Sequence, residues 1–423
     1  MKVYMIGIGG IGMSGLAQLY LREGIEVTGS DREHGPTTDM LEKLGVKIYY
    51  QQNGIGIPDD TNLIIYSDAI WPDNPERARA RALFIPEMSY FAALGKVSEA
   101  MTTIAVSGTN GKTTTTGMLA KILIDAGKQP TTIVGSLMKD FGSNFVPGAP
   151  SLFVVEACEY KDHLLELNPK ILVVTNVEWD HTDWFKTEAA MFDTFKRAMH
   201  KVPKDGAVVV DLSLPYMRML LTEVRATIVD YSKEIVPELQ LIGEFNKNNA
   251  RAAKAAAKAF APELTDEVID ASLKAFQGTW RRFEYKGITK AGATLYDDYA
   301  HHPTAIRETI KGARQKFSDK KIVVAFHPHL FSRTRDLMND FARAFDGADS
   351  VILAPIYAAR ENPIDGVTSE VLASKINNSK PNLACAVSDL DAVYNELVSV
   401  SSDSLIITMG AGDIYKVADK LVA

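Results

Sequence analysis

Residues 105–116 read AVSGTNGKTTTT, a loop of two glycines, one lysine and a run of hydroxyls whose composition suits a phosphate chain. An apolar run ends at this loop and an amphipathic run beginning GMLAKIL leaves it, so it joins a strand to a helix and turns its amide hydrogens toward the helix N-terminus. Gly108 and Gly111 let the backbone approach an anion, Lys112 offsets the charge of terminal phosphates, and Thr113 is placed to offer its hydroxyl to Mg²⁺. The strict spacing G-x-x-x-x-G-K-[ST] would need glycine where Val106 stands, so the loop is a shortened form.

Two more strand ends bear on the same chemistry. Glu156 ends SLFVVE, and Glu178, Asp180 and His181 follow ILVVTN; parallel strands would deliver all of them to the edge that carries the phosphate loop. A carboxylate there suits Mg²⁺ and an imidazole suits a second ion, whereas Glu159, Asp162 and Asp183 are expected to be solvated. A second glycine loop, GIGGIGMSG, places Gly7, Gly9 and Gly12 in the G-x-G-x-x-G pattern, with Asp31 about 20 residues on. That spacing seats a pyrophosphate on a helix N-terminus and leaves its nucleoside open, NAD included. Two such loops in one chain imply two nucleotides.

The elements around these loops restart three times. The segment MKVYMIGIGGIGMSGLAQLYLREGIEVTGSD reads as strand, turn, helix and strand, and VKIYY, NLIIYSDAI and ALFIPEM continue it as short buried strands of a parallel sheet. A second α/β unit starts at TTIAVSGTNGKTT and takes in SLFVVEA and KILVVTN. An alanine-rich helix, NNARAAKAAAKAFA, follows, and a third unit carries TLYDDYAHHP, KIVVAFHPH, SVILAPIY and SLIITMGAG. The expected domains are 1–99, 100–282 and 283–423, in keeping with 423 residues, more than one core usually supports.

Composition excludes several classes. With 46% apolar and 23% charged residues the chain is an ordinary globular protein, and a net charge of −7 argues against a nucleic-acid surface. Two cysteines, Cys158 and Cys385, make neither a disulfide framework nor a zinc site, and Cys158 is expected to be a small buried residue. No stretch approaches about 18 uninterrupted apolar residues and no leader-like segment precedes the first strand, so no membrane association is expected and a cytoplasmic location is.

Taken in order, GIGGIGMSG, YSDAI with NPE, SGTNGKTTTT, VVEACEY, TNVEWDH, GEFNKNNARAA, GTWRRFE, LYDDYAHHPTAI, FHPHLFSRTRD and MGAGDIYKVA resemble the motifs of the Mur ligases, the ATP-dependent amide-forming enzymes of bacterial cell-wall synthesis. The resemblance spans nearly the whole chain. It implies an α/β protein of three domains: a Rossmann-like N-terminal domain for a UDP-sugar, a central P-loop domain for ATP, and a Rossmann-like C-terminal domain for an amino acid. It implies ATP and Mg²⁺ as cofactors, UDP-N-acetylmuramate and L-alanine as substrates, no nucleic-acid or membrane partner, and a monomer or homodimer.

The resemblance also implies roles. Gly108, Thr109, Asn110, Gly111, Lys112, Thr113 and Thr114 would cradle the ATP phosphates, with Thr113, Glu156 and His181 carrying the metal. Asn246 and Asn249 match adenine contacts, and the same asparagines could equally be helix caps. Arg282 would reach the phosphates and Asp298 the ribose. Gly10, Gly12, Met13, Ser14, Asp31 and Ser67 would surround the UDP group. Tyr299, His301, His329 and Arg333 would line the amino-acid pocket, Arg333 pairing the substrate carboxylate, while His302 and His327 stay structural. Lys112, Glu156, His181 and His301 form the catalytic set, and His181 or His301 is the base for the amine proton. Leu330 stands where the family's single-amino-acid enzymes often have arginine, which leaves L-alanine, glycine and L-serine open. Outside this reading, the first glycine loop alone would fit an NAD-dependent oxidoreductase and the second a simple ATP hydrolase; inside the family, the alternative attaches a whole tripeptide to the same sugar nucleotide.

Overall fold

A computed structural model of the chain describes residues 1–359 and 361–422. The first unit alternates β1 (Lys2–Ile6), α1 (Ile11–Arg22), β2 (Glu26–Ser30), α2 (Pro36–Lys43), β3 (Lys47–Tyr49), β4 (Leu63–Tyr66), α3 (Pro75–Ala82) and β5 (Glu87–Ser89), and α4 (Tyr90–Ala100) leads out of it. Its five strands are all parallel, in the order β3-β2-β1-β4-β5. The three strand–helix–strand steps, β1-α1-β2, β2-α2-β3 and β4-α3-β5, account for three of the four parallel pairings, because a parallel neighbour can be reached only by a crossover.

The second unit holds β6 (Thr102–Ser107), α5 (Lys112–Asp125), β7 (Pro130–Met138), β8 (Ser143–Val146), β9 (Ala149–Glu156), β10 (Ile171–Val174), α6 (Glu188–Lys201), β11 (Ala207–Val210), α7 (Met217–Leu220), β12 (Thr227–Asp230), α8 (Glu244–Phe260) and α9 (Asp266–Ala275). The seven strands run β12-β11-β10-β6-β9-β7-β8, with β8 antiparallel at the edge. Strand β6 is therefore flanked by β9 and β10. Those three strand ends, and so Ser107, Glu156 and the segment after Val174, reach one edge of the sheet. Alanine suits α8 twice, as the strongest helix former and as a side chain small enough to let α8 lie close on α5. Ala250, Ala252, Ala253 and Ala255 to Ala257 are all buried there. The helix also buries Lys254, which is held by Asp270 at 2.8 Å and Asp266 at 3.3 Å.

The third unit holds β13 (Glu284–Ile288), β14 (Thr294–Asp298), α10 (Pro303–Lys316), β15 (Lys321–Phe326), α11 (Phe331–Asp336), α12 (Met338–Ala344), β16 (Ser350–Leu353), α13 (Ser369–Ser379), β17 (Ala384–Ala386), α14 (Leu390–Leu397), β18 (Ser404–Met409) and α15 (Tyr415–Val422). Its six strands run β13-β14-β18-β15-β16-β17, antiparallel only at β13. The motif-bearing segments 298–302, 327–333 and 410–413 follow β14, β15 and β18, which are neighbours.

The first two units share a seam. A continuous apolar cluster runs from Val3 and Leu16 through Ile133 and Phe145 of the β7–β8 hairpin to Phe153 and Phe195. Helix α1 lies on that hairpin, and Asn144 donates its side-chain amide to the Ile11 carbonyl. Farther along, Asp68 accepts from Lys161 at 2.8 Å and meets His163 at 3.2 Å, and the His163 ring stacks on Phe91 with centres 3.6 Å apart. No helix of the described residues is long and apolar enough to cross a membrane.

Candidate active site

The phosphate loop is shaped by two glycines with left-handed backbones, Gly108 at φ +128 and Gly111 at φ +86. A Cβ on Gly108 would fall 2.1 Å from Thr175 Oγ1, and one on Gly111 would fall 2.2 Å from Asn249 Oδ1, so neither position admits a side chain. The segment after β10 holds the loop from outside. Thr109 N donates to Asn176 O at 3.0 Å, Asn110 N donates to Asn176 Oδ1 at 3.0 Å, and Thr175 Oγ1 donates to Asn110 O at 2.6 Å. Thr109 Oγ1 donates to Glu178 O at 2.9 Å and accepts from Glu178 N at 2.8 Å. Thr114 is buried behind Gly111, the N-cap of α5. Asn176 and Glu178 were thus positioning residues that the motif TNVEWDH contained.

Lys112 projects back under the loop. Its ammonium donates to Gly108 O at 2.5 Å and Thr109 O at 3.2 Å, and meets the two oxygens of Glu159 at 3.0 and 2.9 Å. Glu159 is fully buried, which corrects the expectation of a solvated carboxylate. The 3-10 turn that follows β9 folds it inward, and a buried carboxylate persists only when paired. Burial pushes Glu159 up, but the Lys112 ammonium and His181 outweigh it and hold the carboxyl below its usual range. Burial likewise works against the Lys112 charge, and Glu159 reverses the balance and keeps the amine protonated. Asp162 and Asp183 are also half-buried rather than solvated: Asp162 accepts from the Thr194 hydroxyl, and Asp183 accepts from Tyr160 Oη at 2.8 Å. Cys158 is half-buried between the two glutamates, and burial pushes its thiol up to about 12.

Thr113 and Glu156 meet as the strand order requires, Thr113 Oγ1 donating to Glu156 Oε1 at 3.1 Å, while Gly135 N donates to Glu156 Oε2 at 2.8 Å. His181 has a left-handed backbone at φ +51; its Nε2 lies 3.4 Å from Glu159 Oε1, and its Nδ1 is buried without a hydrogen-bond partner. Two hard oxygens 3.1 Å apart and an unpartnered buried imidazole nitrogen nearby are donors that fit Mg²⁺ and a second ion. Glu156, Glu159 and His181 do not close into a single cage. Among the described residues the one convergent set of three is His34, Asp39 and Glu42, exposed on the first unit.

The segment leading into the third unit and the third unit itself each reach this edge. Arg282 Nη2 donates to Thr113 Oγ1 at 3.2 Å, where a phosphate-directed arginine was expected. Arg333 Nε donates to Asp180 Oδ1 at 2.7 Å, with both side chains nearly fully buried. Burial pushes Asp180 up, but Arg333 first, and then His181, His302 and His301, hold it well below its usual range. Arg333 also donates through Nη1 to His329 Nδ1 at 3.1 Å. Expected as the partner of a substrate carboxylate alone, it is therefore already paired with a carboxylate of the protein. The His301 ring lies 6.2 Å from His329 and 5.3 Å from Tyr299, and its Nδ1 is 2.9 Å from Tyr299 O. A carbonyl at that distance accepts a proton from Nδ1, so Nε2 carries the lone pair. Burial, with Arg333 adding to it, keeps His301 well below its usual value and therefore neutral.

Other placements differ from expectation. Both oxygens of Asp298 accept backbone amides, Ala300 N at 2.6 Å and Phe283 N at 2.8 Å, so the carboxylate ties its own turn to the segment before β13. Burial pushes its carboxyl up to about 6. Asn246 Nδ2 donates to Ile242 O at 2.7 Å and Asn249 Nδ2 to Asn246 Oδ1 at 3.2 Å; Gly243 is the N-cap, so these buried asparagines are not caps and line the helix start beside Gly111. In the first unit Gly10 caps α1 at the carboxyl edge of the sheet, but Met13 and Ser14 face inward: Met13 joins the core, and the Ser14 hydroxyl donates to Ile11 O at 2.9 Å beneath Asn144. Gly12 packs on Tyr90, whose hydroxyl would lie 2.5 Å from an added Cβ. Asp31 accepts from Gly9 N at 2.8 Å, which stitches the glycine loop to β2, and Ser67 stands beside Gly7. His302 caps α10 and His327 is buried against Tyr357. Arg281 escaped notice in the sequence; it is buried on Asp297 at 2.7 Å and on the carbonyls of Gly410 and Gly412, tying GTWRRF to MGAGD.

Known proteins share the three-unit architecture. Residues 2–102 match the Mur ligase family catalytic domain, 106–236 the Mur ligase middle domain and 281–412 the Mur ligase glutamate ligase domain. The UDP-N-acetylmuramate--L-alanine ligase of Desulfosudis oleivorans is 34% identical over 100% of this chain and 98% of its own, and that of Acetivibrio thermocellus 36% over 99% and 94%. The structure of UDP-N-acetylmuramate-alanine ligase MurC from Thermotoga maritima superposes with a TM-score of 0.81 at 27% identity, covering 100% of this chain and 98% of that one. A murein peptide ligase from Psychrobacter arcticus, 23% identical with a TM-score of 0.73 and full coverage of both chains, has the same fold. With its three segments matched in order and relatives aligned end to end, the chain belongs to the Mur ligase family.

Proposed function

We propose that this protein joins L-alanine to the lactyl carboxylate of UDP-N-acetylmuramate at the expense of ATP, as the names of its full-length relatives describe for those proteins. The domains of this reading are 1–99 for the sugar nucleotide, 100–282 for ATP and 283–423 for the amino acid, working in the cytoplasm. The observation that carries it is the meeting of three distant segments at one sheet edge: Lys112 and Thr113 after β6, Glu156 at the end of β9, and Arg282 from the junction with the third unit.

A carboxylate is a poor electrophile, so amide formation requires its prior activation, and phosphoryl transfer from ATP to the lactyl oxygen supplies an acyl phosphate. Lys112, kept charged by Glu159, and Arg282 supply positive charge where the transferred phosphoryl group stands. Thr113 and Glu156 would hold Mg²⁺, with His181 on a second ion; the metal offsets phosphate charge when bound. Arg333 and His329 orient the amino acid. The neutral imidazole of His301, its Nδ1 committed to Tyr299 O, offers Nε2 for the proton that the amine loses on attacking the acyl carbon. Phosphate departs as the amide forms.

The test is an assay of phosphate release in ATP, Mg²⁺, UDP-N-acetylmuramate and single amino acids. Release with L-alanine, and markedly less with glycine or L-serine, is expected. Release without any acceptor, or only with a tripeptide, would overturn the reading.

A further inference from the structure

The ion pair between Asp180 and Arg333 is incomplete in a particular way. Asp180 is 3% and Arg333 2% exposed, so both charges depend on protein partners. Asp180 uses one oxygen for everything: Oδ1 accepts from Arg333 Nε at 2.7 Å and from His181 N at 2.7 Å. Arg333 uses Nε for that contact and Nη1 for His329, at 3.1 Å to Nδ1 and 3.3 Å to the carbonyl. A guanidinium edge made of Nε and Nη2 commonly grips both oxygens of a carboxylate. Here only Nε does, and among the described residues neither Asp180 Oδ2 nor Arg333 Nη2 takes a hydrogen-bond partner. An acceptor of one charge and a donor of the other thus stand side by side, beside the His301 and His329 rings.

Two such atoms match the two ends of an α-amino acid, whose ammonium and carboxylate are separated by one carbon. Resting on the ligase reading above, we propose that Asp180 is a specificity-determining residue of the amino-acid site, forming with Arg333 a two-charge clamp that takes the ammonium on Asp180 Oδ2 and the carboxylate on Arg333 Nη2. Both free valences of the buried pair are then satisfied by the substrate. A carboxylic acid without the amine, or an amine without the acid, satisfies one and leaves the other unmet, which is how a buried polar site rejects an incomplete ligand. The clamp selects the backbone of an amino acid and leaves its side chain to other walls of the pocket.

The experiment compares wild type with Asp180→Asn in the phosphate-release assay, using L-alanine as substrate and propionate, which keeps the carboxylate and lacks the amine, as competing ligand. In the variant, KM for L-alanine is expected to rise about tenfold or more, while KM for ATP and for the sugar nucleotide, and inhibition by propionate, stay within about twofold. Equal weakening of propionate and L-alanine would mean that Asp180 only holds Arg333 in place, and an unmoved KM for L-alanine would mean that it does not touch the substrate; either overturns the proposal. A wild-type enzyme that releases no phosphate in response to any amino acid would instead overturn the ligase reading. A crystal structure of the wild type with L-alanine decides the matter independently of how the variant folds: the ammonium is expected within about 3.2 Å of Asp180, and an ammonium bound elsewhere refutes the clamp.

Discussion

The Glu159 carboxylate, wholly buried, meets the Lys112 ammonium at 2.9 and 3.0 Å and thereby sets where the charge of the phosphate loop stands. Replacing Glu159 by Gln leaves that ammonium without its counter-charge in a nearly enclosed place, a change that costs roughly 3 kcal/mol. Chemical denaturation should show the loss, and phosphate release should fall at least about tenfold because Lys112 is no longer held in place. Lys112→Ala should lower turnover about 1,000-fold by removing charge from the transferring phosphoryl group. An active Lys112→Ala protein would place the chemistry elsewhere.

The seam between the first two units should respond to acid. Burial pushes Asp68 up, but His163 and Lys161 outweigh it and bring its carboxyl down to about 2, against an ordinary 3.8. A depressed carboxyl contributes stability that is fully present above pH 3.8 and is lost as pH falls through that value toward 2. The side chain is 30% exposed, so solvent trims the effect to about 1–2 kcal/mol. Asp68→Asn should lower the unfolding free energy by that amount at pH 7, with the difference from wild type shrinking below pH 3.8.

The two thiols should differ in reactivity. Cys158, pushed up to about 12 by burial with Glu159 adding to it, has only about one part in 10⁴ of thiolate at pH 8, whereas Cys385 is exposed. Iodoacetamide on the folded protein at pH 8 should label Cys385 and spare Cys158. Labelling of Cys158 should then rise about tenfold per pH unit without levelling off below pH 10, as peptide mass spectrometry would read.

His301 should act as a base without an acid limb of its own near neutrality. Its pKa lies well below 6.5, through burial and then Arg333, so the proton-accepting form persists as pH falls from 8 to 6.5. His301→Gln should reduce kcat about 100-fold with little change in KM for ATP. A wild-type kcat profile that loses activity with an apparent pKa near 6.5, and keeps that limb in His301→Gln, would assign the limb to another group.

Much of this site was legible because its parts are local. The strand, glycine turn and helix at 102–125 are written in apolar periodicity and in two glycines that nothing else can replace, so the loop could be located without a neighbour. The parallel order of the strands then sent Glu156 and His181 to the loop's edge, and the buried runs at 152–156 and 171–174 were plain enough to carry that inference. Less could be read where burial depends on a distant partner. Glu159 follows Glu156 by three residues and looks in sequence like any surface acid; only the turn after β9 tells the two apart. Ser14 looked like a ligand contact and is covered by Asn144, which belongs to a hairpin that no periodicity announced.

By itself the sequence determined the three α/β units, the phosphate loop and the identity of most residues that gather around it, because strand and helix periods and the demands of glycine act within a few residues along the chain. The tertiary structure alone decided how the charges are matched. Asp180 and Arg333 are separated by 153 positions and meet at 2.7 Å only because the third sheet is set against the second, and the same docking brings Arg282 to Thr113. Electrostatic partners are chosen by distance in space and by the exclusion of water, and neither quantity exists in a linear chain until its domains have closed on one another.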